Sequence, residues 1–274
     1  METDKKMKIS VVTTFHKKGY ETYGRRMIET FLKNWPADIT LYVYSEDCEI
    51  SEKADNLKIY DLHQASPELV AFKEKWKNVP KAVGQQAIPP IVPGVKKQAG
   101  IGFKWDAVRF SHKVYSIFHC AKVCESDVLF WMDADTVCHS PITRLEIEKF
   151  CPLTIDIGFL GRDGKYTECG LYSLNLQSVA VKTFLQKFQH MYDNAEDGIF
   201  KLREWHDSFV FDAVRNQTKL RELNWSYGLI KGEGHPLINS EWGKYLDHLK
   251  GERKLLGRSK LTDLKVKRIE SYWR

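Results

Sequence analysis

A hydrophobic run ends in two carboxylates near the middle of this 274-residue chain. The run extends from Val128 to Met132, and Asp133, Ala134 and Asp135 follow it directly. An uninterrupted apolar segment of this length is typical of a strand that is buried on both faces. Open α/β sheets bind their ligands at the carboxyl ends of such strands. The sequence therefore predicts an α/β fold with Asp133 and Asp135 at the ligand-binding edge of the sheet.

The segments around this run have the pattern of alternating strands and helices. Residues 8–14 are rich in β-branched side chains and predict a first strand, and residues 39–44 predict a second one. An amphipathic helix is predicted between them, over residues 23–34, and a longer helix over residues 105–123, before the aspartates. This order predicts a mixed, mainly parallel sheet flanked by helices.

We expect one domain over residues 1–256 and a basic tail over residues 257–274. Loop 78–102 holds four prolines and four glycines, but it does not separate two cores. The last 25 residues hold nine Lys/Arg and three Asp/Glu, which accounts for the whole net charge of +6. This segment is either a solvated tail or a contact for phosphate, nucleic acid or an anionic membrane, where Tyr272 and Trp273 would suit the interface.

Cysteine spacing and hydropathy indicate the compartment. The six cysteines include no zinc-type Cys-X-X-Cys pair, and the N-terminus lacks the apolar centre of a signal peptide. No apolar run reaches the roughly 18 residues of a membrane-spanning helix. We therefore expect a reduced, cytoplasmic protein without a transmembrane segment.

Two carboxylates one residue apart can face one divalent cation, although Asp-X-Asp also occurs at helix caps and turns. Far downstream, His248, Gly251 and Lys254 form the pattern H-x-x-G-x-x-K. An imidazole can complete such a metal site and favours Mn²⁺ over Mg²⁺. Gly251 permits close approach of the backbone to a phosphate, and Lys254 can neutralise a diphosphate.

With these two motifs in this order and separation, the chain resembles the retaining glycosyltransferases of GT-A fold. The likeness is to the glycogenin and lipopolysaccharide galactosyltransferase type. It implies transfer of a sugar from a nucleotide-sugar donor, expected to be a UDP-sugar, to an acceptor hydroxyl with retention of configuration. Asp133, Asp135 and His248 would hold Mn²⁺ or Mg²⁺, and Lys254 would stabilise the leaving diphosphate.

The resemblance extends to other donor contacts and to one further catalytic residue. Asp207, in the segment from Trp205 to Ser208, would position the sugar or stabilise its positive charge. The implied donor-binding residues are Thr13, Thr14, Arg109, Lys113, Ala134, Gly251 and Lys254. For His206 and Asp207, a helix N-cap is the alternative interpretation.

The sequence also departs from the family pattern. Ser208 stands where the family has Gln, and Cys169 where it has Ser. Leu255 and Leu256 replace a Pro-Trp pair, and Phe15-His16 replace an Asp pair after the first strand. These differences leave the base contacts and the identity of the sugar open.

Three hypotheses remain for the partner of this chain. The acceptor is a glycan or lipopolysaccharide-type saccharide, with residues 250–274 touching the inner membrane face. Alternatively, the enzyme glycosylates a hydroxylated or hydroxymethylated base of DNA in an infected cell, with the same segment on phosphates. A third alternative is a non-catalytic module that binds a nucleotide sugar or nucleic acid.

Overall fold

Nine strands form two sheets in the computed structural model, which describes residues 6–85, 102–229 and 234–274. The strands of the large sheet are β1 Ile9–His16, β2 Thr40–Glu46, β3 Leu57–Asp61, β4 Val128–Met132, β6 Ile157–Arg162, β7 Lys165–Asn175 and β8 Glu222–Asn224. The small sheet consists of β5 Thr136–Cys138 and β9 Leu246–His248.

The large sheet has seven strands in the order β3-β2-β1-β4-β7-β6-β8. β1 runs parallel to β2 and β4, β2 runs parallel to β3, and β6 runs parallel to β8. β7 is antiparallel to both of its neighbours. The predicted fold class, a mixed and mainly parallel sheet flanked by helices in one domain, is confirmed.

Helices cover both faces of this sheet. In chain order they are α1 Lys17–Gly19, α2 Arg25–Asn34, α3 Leu62–Ala65, α4 Pro67–Trp76, α5 Ala107–Val123, α6 Arg144–Phe150, α7 Val179–Asp193, α8 Asp207–Arg215, α9 Pro236–Asn239 and α10 Arg253–Leu256. A π-helical turn, Tyr20–Gly24, joins α1 to α2. The predicted helix over residues 23–34 therefore begins in a π turn and becomes α-helical at Arg25.

β4 explains why the central run is apolar throughout. Leu129 and Trp131 pack into the hydrophobic core on one face of the sheet. Val128, Phe130 and Met132 pack into a second core on the other face. Because strand residues alternate between faces, a strand that is covered on both sides has no polar positions.

Helix α5 precedes β4 and begins two residues later than predicted. Asp106 caps it, and its side chain accepts a hydrogen bond from the backbone N–H of Arg109 (3.1 Å). Helix α4, which buries Leu69 and Phe72, was not predicted. Within loop 78–102, Pro80–Val83 forms a 3₁₀ turn; residues 86–101 lie outside the described residues.

The C-terminal segment, residues 250–274, packs onto the rest of the domain. Trp273 is buried, and its indole N–H donates to the carbonyl of Gly243 (2.8 Å). Tyr272 donates from its hydroxyl to Asp247 (2.8 Å), and Arg268 donates to the carbonyl of Ile238 (2.7 Å). The prediction of a freely solvated tail is therefore wrong for these three residues. Tyr272 and Trp273, which were suggested for a membrane interface, contact the rest of the protein instead. Among the described residues, no helix is long and apolar enough to cross a membrane.

Candidate metal and nucleotide-sugar site

The turn after β4 carries both aspartates. The backbone N–H of Asp133 donates to the carbonyl of Gly170 on β7 (2.8 Å), and the N–H of Thr136 donates back to the carbonyl of Asp133 (3.0 Å). The chain then enters β5, which pairs with β9 so that Thr136 lies opposite His248. This short antiparallel ladder brings the late histidine to the end of the central strand.

Asp133, Asp135 and His248 converge on one point. His248 Nε2 lies 3.0 Å from Asp135 Oδ1 and 3.4 Å from Asp133 Oδ2. One ligand atom from each side chain lies within 4.8 Å of the others, so the three could hold a metal ion. Asp135 and His248 are buried, while Asp133 is partly open. Two carboxylates and one imidazole suit Mn²⁺ and also admit Mg²⁺.

The surroundings of His248 also fit a metal ligand. A Cβ at Gly170 would lie only 2.4 Å from its imidazole Cε1, so the ring occupies space that only glycine leaves. Its other ring nitrogen, Nδ1, forms no hydrogen bond within the described residues but lies 3.5 Å from Glu168 Oε1, a carboxylate placed to orient the ring. The backbone carbonyl of His248 accepts a hydrogen bond from the His235 ring (2.9 Å). His235 therefore contacts the backbone of His248 and is not one of the three converging ligands.

Lysines neutralise the carboxylates from two sides. Lys254 Nζ lies 2.8 Å from Asp135 Oδ2. Lys113 Nζ lies 3.1 Å from Asp133 Oδ1 and 2.7 Å from Asp207 Oδ2. Lys113 therefore links the proposed metal ligands to the residue that the sequence assigned to the transferred sugar.

These ion pairs fix the charge states. Burial alone would raise the pKa of Asp135 and of Asp207, but Asp135 beside His248 and Lys254, and Asp207 beside Lys113, both have pKa values below their usual range. Burial alone would lower the pKa of Lys113, yet its carboxylate neighbours raise the pKa well above the usual value. Both carboxylates are therefore anionic and Lys113 is cationic at neutral pH.

A cavity of about 700 Å³ opens over these groups. It is large enough for a substrate-sized ligand. Seven of the residues assigned from the sequence line it: Arg109, Asp133, Asp135, Asp207, His248, Gly251 and Lys254. Gly251 has a φ of +58°, which glycine adopts without strain, and a Cβ there would meet open space.

Four other assigned residues do not line this cavity. Lys113 lies beneath it and acts through its ion pairs, and Ala134 is buried between the aspartates. Thr13 is fully buried on β1, and its hydroxyl has no hydrogen-bond partner among the described residues. Thr14 donates from its hydroxyl to the carbonyl of Tyr44 (2.7 Å). Thr14 therefore contacts the backbone of β2, and neither threonine lines the cavity.

Asp207 is the first residue of α8. His206 is the N-cap, and its Nδ1 accepts from the N–H of Phe209 (3.4 Å). The capping interpretation thus describes His206, whereas the Asp207 side chain pairs with Lys113 and lines the cavity.

The sequence reasoning missed Glu168. This buried carboxylate on β7 also lines the cavity. Its Oε1 lies 3.5 Å from His248 Nδ1 and accepts from the N–H of Gly170 (3.2 Å), and its Oε2 pairs with Lys250. Burial would raise its pKa, but Lys250 and His248 hold the pKa well below the usual range. Its position two residues before Gly170, on the same face of the strand, was the available signal.

Neither a protein-family model nor a curated protein sequence matches the chain. Solved structures of glycosyltransferases are similar in fold. The bifunctional glycosyltransferase WbbM has 9% identity and a TM-score of 0.47, over 82% of this chain and 40% of that one. Mouse xyloside xylosyltransferase 1 has 15% identity and a TM-score of 0.41, over 77% and 82%.

The galactosyltransferase LgtC, solved with donor and acceptor sugar analogs, has 10% identity and a TM-score of 0.43, over 78% of this chain and 72% of that one. The chain thus spans less than half the length of WbbM. At these identities and TM-scores, the similarity describes the fold alone.

Proposed function

We propose that this chain is a metal-dependent glycosyltransferase that moves a sugar from a nucleotide-sugar donor to an acceptor hydroxyl. One observation carries the proposal. Asp133, Asp135 and His248 converge at the wall of a cavity of about 700 Å³, with Lys254 beside them. A divalent-cation site next to a lysine and a substrate-sized space is the arrangement that transfer from a nucleotide diphosphate requires.

Asp133, Asp135 and His248 would hold Mn²⁺ or Mg²⁺. Bound there, the cation supplies Lewis-acid stabilisation of negative charge on a diphosphate. Asp135 orients the site because its two oxygens face His248 and Lys254 separately. Asp133 is held from behind, where Trp131 donates from its indole N–H to Oδ1 (2.7 Å), so its Oδ2 remains directed toward His248.

Lys254 would stabilise the diphosphate as it leaves. Burial lowers the pKa of this lysine and Asp135 raises it, with a net increase, so the ammonium group is charged at neutral pH. Arg109 lines the same cavity and would add a second cation for the phosphates. Gly251 lies between His248 and Lys254 and would let the backbone approach the phosphates.

Asp207 would act on the transferred sugar. Its carboxylate is anionic, is held by Lys113 and faces the cavity. An anion at this position would stabilise positive charge at the anomeric carbon as the bond to the diphosphate breaks. We propose retention of configuration, with the acceptor hydroxyl attacking from the face that the diphosphate leaves, and a saccharide as the acceptor.

A donor screen tests the proposal. The whole chain would be incubated with a panel of nucleotide sugars, with Mn²⁺ or with EDTA, and release of nucleotide diphosphate would be measured. We expect metal-dependent release from one donor, which names the sugar and the base. Asp197→Ala, at a side chain that is 90% exposed, is the matched control.

Two other outcomes are informative. Metal-dependent binding of a nucleotide sugar without release in any acceptor mixture would indicate a binding module. If no nucleotide sugar binds or reacts, the proposal fails.

A further inference from the structure

The carboxylates that line the cavity all have cationic partners inside the fold. They are Asp133, Asp135, Glu168 and Asp207, and their partners are Lys113, Lys250, Lys254 and His248. Two arginines that also line the cavity, Arg109 and Arg162, have guanidinium groups that form no ion pair with a carboxylate within residues 6–85, 102–229 and 234–274. The positive charge of these two arginines is not neutralised by the carboxylates of the cavity, and it favours a bound anion.

The two arginines come from different elements. Arg109 is on α5, and its guanidinium carbon lies 5.8 Å from the ring centroid of Phe110. Arg162 lies where β6 turns into β7, and its Nε donates to the carbonyl of Tyr166 (2.8 Å). Arg109 is the arginine proposed above for the donor phosphates, so Arg162 has no proposed ligand there.

The surface near Arg162 is aromatic. We call it the aromatic wall; it consists of Phe103, Phe110, Tyr166 and His206. His206 is central, with ring-centroid distances of 5.6 Å to Phe103, 6.2 Å to Phe110 and 5.1 Å to Tyr166. Phe103 is 45% exposed, which is high for a large apolar ring. Aromatic rings with one or two charged groups are typical of pockets that hold a polar ring by its apolar face.

Asp207 joins the aromatic wall to the metal ligands. It follows His206 in sequence, and its partner Lys113 also contacts Asp133. A ring on the aromatic wall would therefore lie next to the sugar that Asp207 is proposed to contact.

We propose that the acceptor is an anionic saccharide, bearing a phosphate or a carboxylate, whose ring packs on the aromatic wall while Arg162 binds the charged group. A guanidinium group presents paired N–H donors that match either anion. This inference rests on the proposed function, because it names the acceptor for the same reaction.

Equilibrium binding to the whole chain tests it. The probes are methyl glucoside, glucose 6-phosphate and glucuronic acid, each titrated calorimetrically with Mn²⁺ and UDP present. We expect one charged saccharide to bind at least about tenfold more tightly than the neutral one. Arg162→Gln should reduce this preference to within about threefold.

Arg203→Gln is the matched control. Arg203 donates to the hydroxyl of Tyr166 (2.9 Å), but its side chain is 73% exposed and does not line the cavity. This variant should retain the preference. A preference for glucose 6-phosphate indicates a phosphorylated acceptor, and a preference for glucuronic acid indicates an acidic sugar.

The inference and the proposed function fail in different ways. Equal binding of all three saccharides, no binding of either charged one, or an unchanged preference in Arg162→Gln overturns the anionic acceptor. Mn²⁺-dependent UDP binding is measured first without saccharide, in the parent and in Arg162→Gln, so a lost saccharide preference can be distinguished from lost nucleotide binding. If no nucleotide diphosphate (UDP, GDP or ADP) binds with Mn²⁺, the proposed function fails, and the acceptor inference fails with it.

Discussion

Asp247 and His248 are neighbours on β9, yet their side chains serve two different regions. His248 points toward Asp135 at the cavity. Asp247 is completely buried on the other side and accepts three hydrogen bonds, from the N–H and the hydroxyl of Ser259 (2.7 and 2.6 Å) and from the hydroxyl of Tyr272 (2.8 Å). Because successive side chains of a strand point to opposite faces, His248 lies in the proposed catalytic region and Asp247 in a structural region.

The difference between these regions lies in what the charges face. In the C-terminal segment, charged groups meet partners inside the protein, as Arg253 does with Asp263 and Arg268 with the carbonyl of Ile238. At the cavity, Asp133 and Asp135 also have cationic partners, but their oxygens converge with His248 Nε2 beside open space. A cluster of charges next to a cavity is typical of a functional site.

The largest expected effect is loss of turnover when the metal end of the cavity, formed by Asp133, Asp135 and His248, loses a ligand. Asp135→Ala should lower the rate of nucleotide diphosphate release by at least about 10²–10³-fold, because one cation ligand and the partner of Lys254 disappear together. Release would be measured at saturating Mn²⁺, with folding checked by circular dichroism. A folded variant with turnover within tenfold of the parent would remove Asp135 from the mechanism.

A change at Asp247, in the structural region, should lower stability instead of turnover. Asp247→Asn replaces one acceptor oxygen with a donor that faces existing donors, so the free energy of unfolding in urea should fall by about 2–4 kcal/mol. The Mn²⁺ affinity of the folded variant should change by less than about threefold. A variant of normal stability that loses Mn²⁺ affinity would show that the two regions are not separate.

The metal end could be predicted because its strand has a strong local signal. β4 is a continuous apolar run, and the residues that follow it must lie at the edge of the sheet. The approach of His248 followed from the family resemblance, not from periodicity, because β5 and β9 have three residues each and show no period.

The C-terminal segment could not be predicted in the same way. Its charge count suggested a tail, but its partners, such as Asp247 and Ile238, lie outside the segment. Glu168 was missed for a related reason: its ion pair with Lys250 joins two distant parts of the chain. Local sequence identifies charges, whereas tertiary contacts decide whether those charges serve stability or binding.

A smaller effect on the metal end is expected from Glu168. Glu168→Gln should weaken Mn²⁺ binding by about 10–100-fold, because its carboxylate faces Nδ1 of the ligand His248 at 3.5 Å and helps to orient the ring. Affinity would be read from the electron paramagnetic resonance signal of free Mn²⁺. Glu204→Gln is the control, since this buried carboxylate bonds Tyr166 and Lys104 away from the three ligands. Equal losses in both variants would contradict a specific role for Glu168.

The most gradual expected effect is on the pH dependence of stability in the structural region. His139 stacks on Tyr272, with ring centroids 4.0 Å apart, and burial lowers its pKa to about 4. The unfolded histidine titrates near pH 6.5, so between about pH 6.5 and 4 the unfolded chain binds a proton that the folded chain excludes. The free energy of unfolding should therefore fall on acidification in this window, by up to about 1.4 kcal/mol per pH unit.

His139→Phe keeps a ring against Tyr272 and should make this slope shallower. The slope should not vanish, because burial lowers the pKa of His235 to about 4 as well. Urea unfolding at several pH values would measure it, with His190→Gln at an exposed position as the control. Identical slopes in His139→Phe and the parent would mean that His139 is not protected from protons. The docked C-terminal segment would then be open to water, and the contrast with the cavity would weaken.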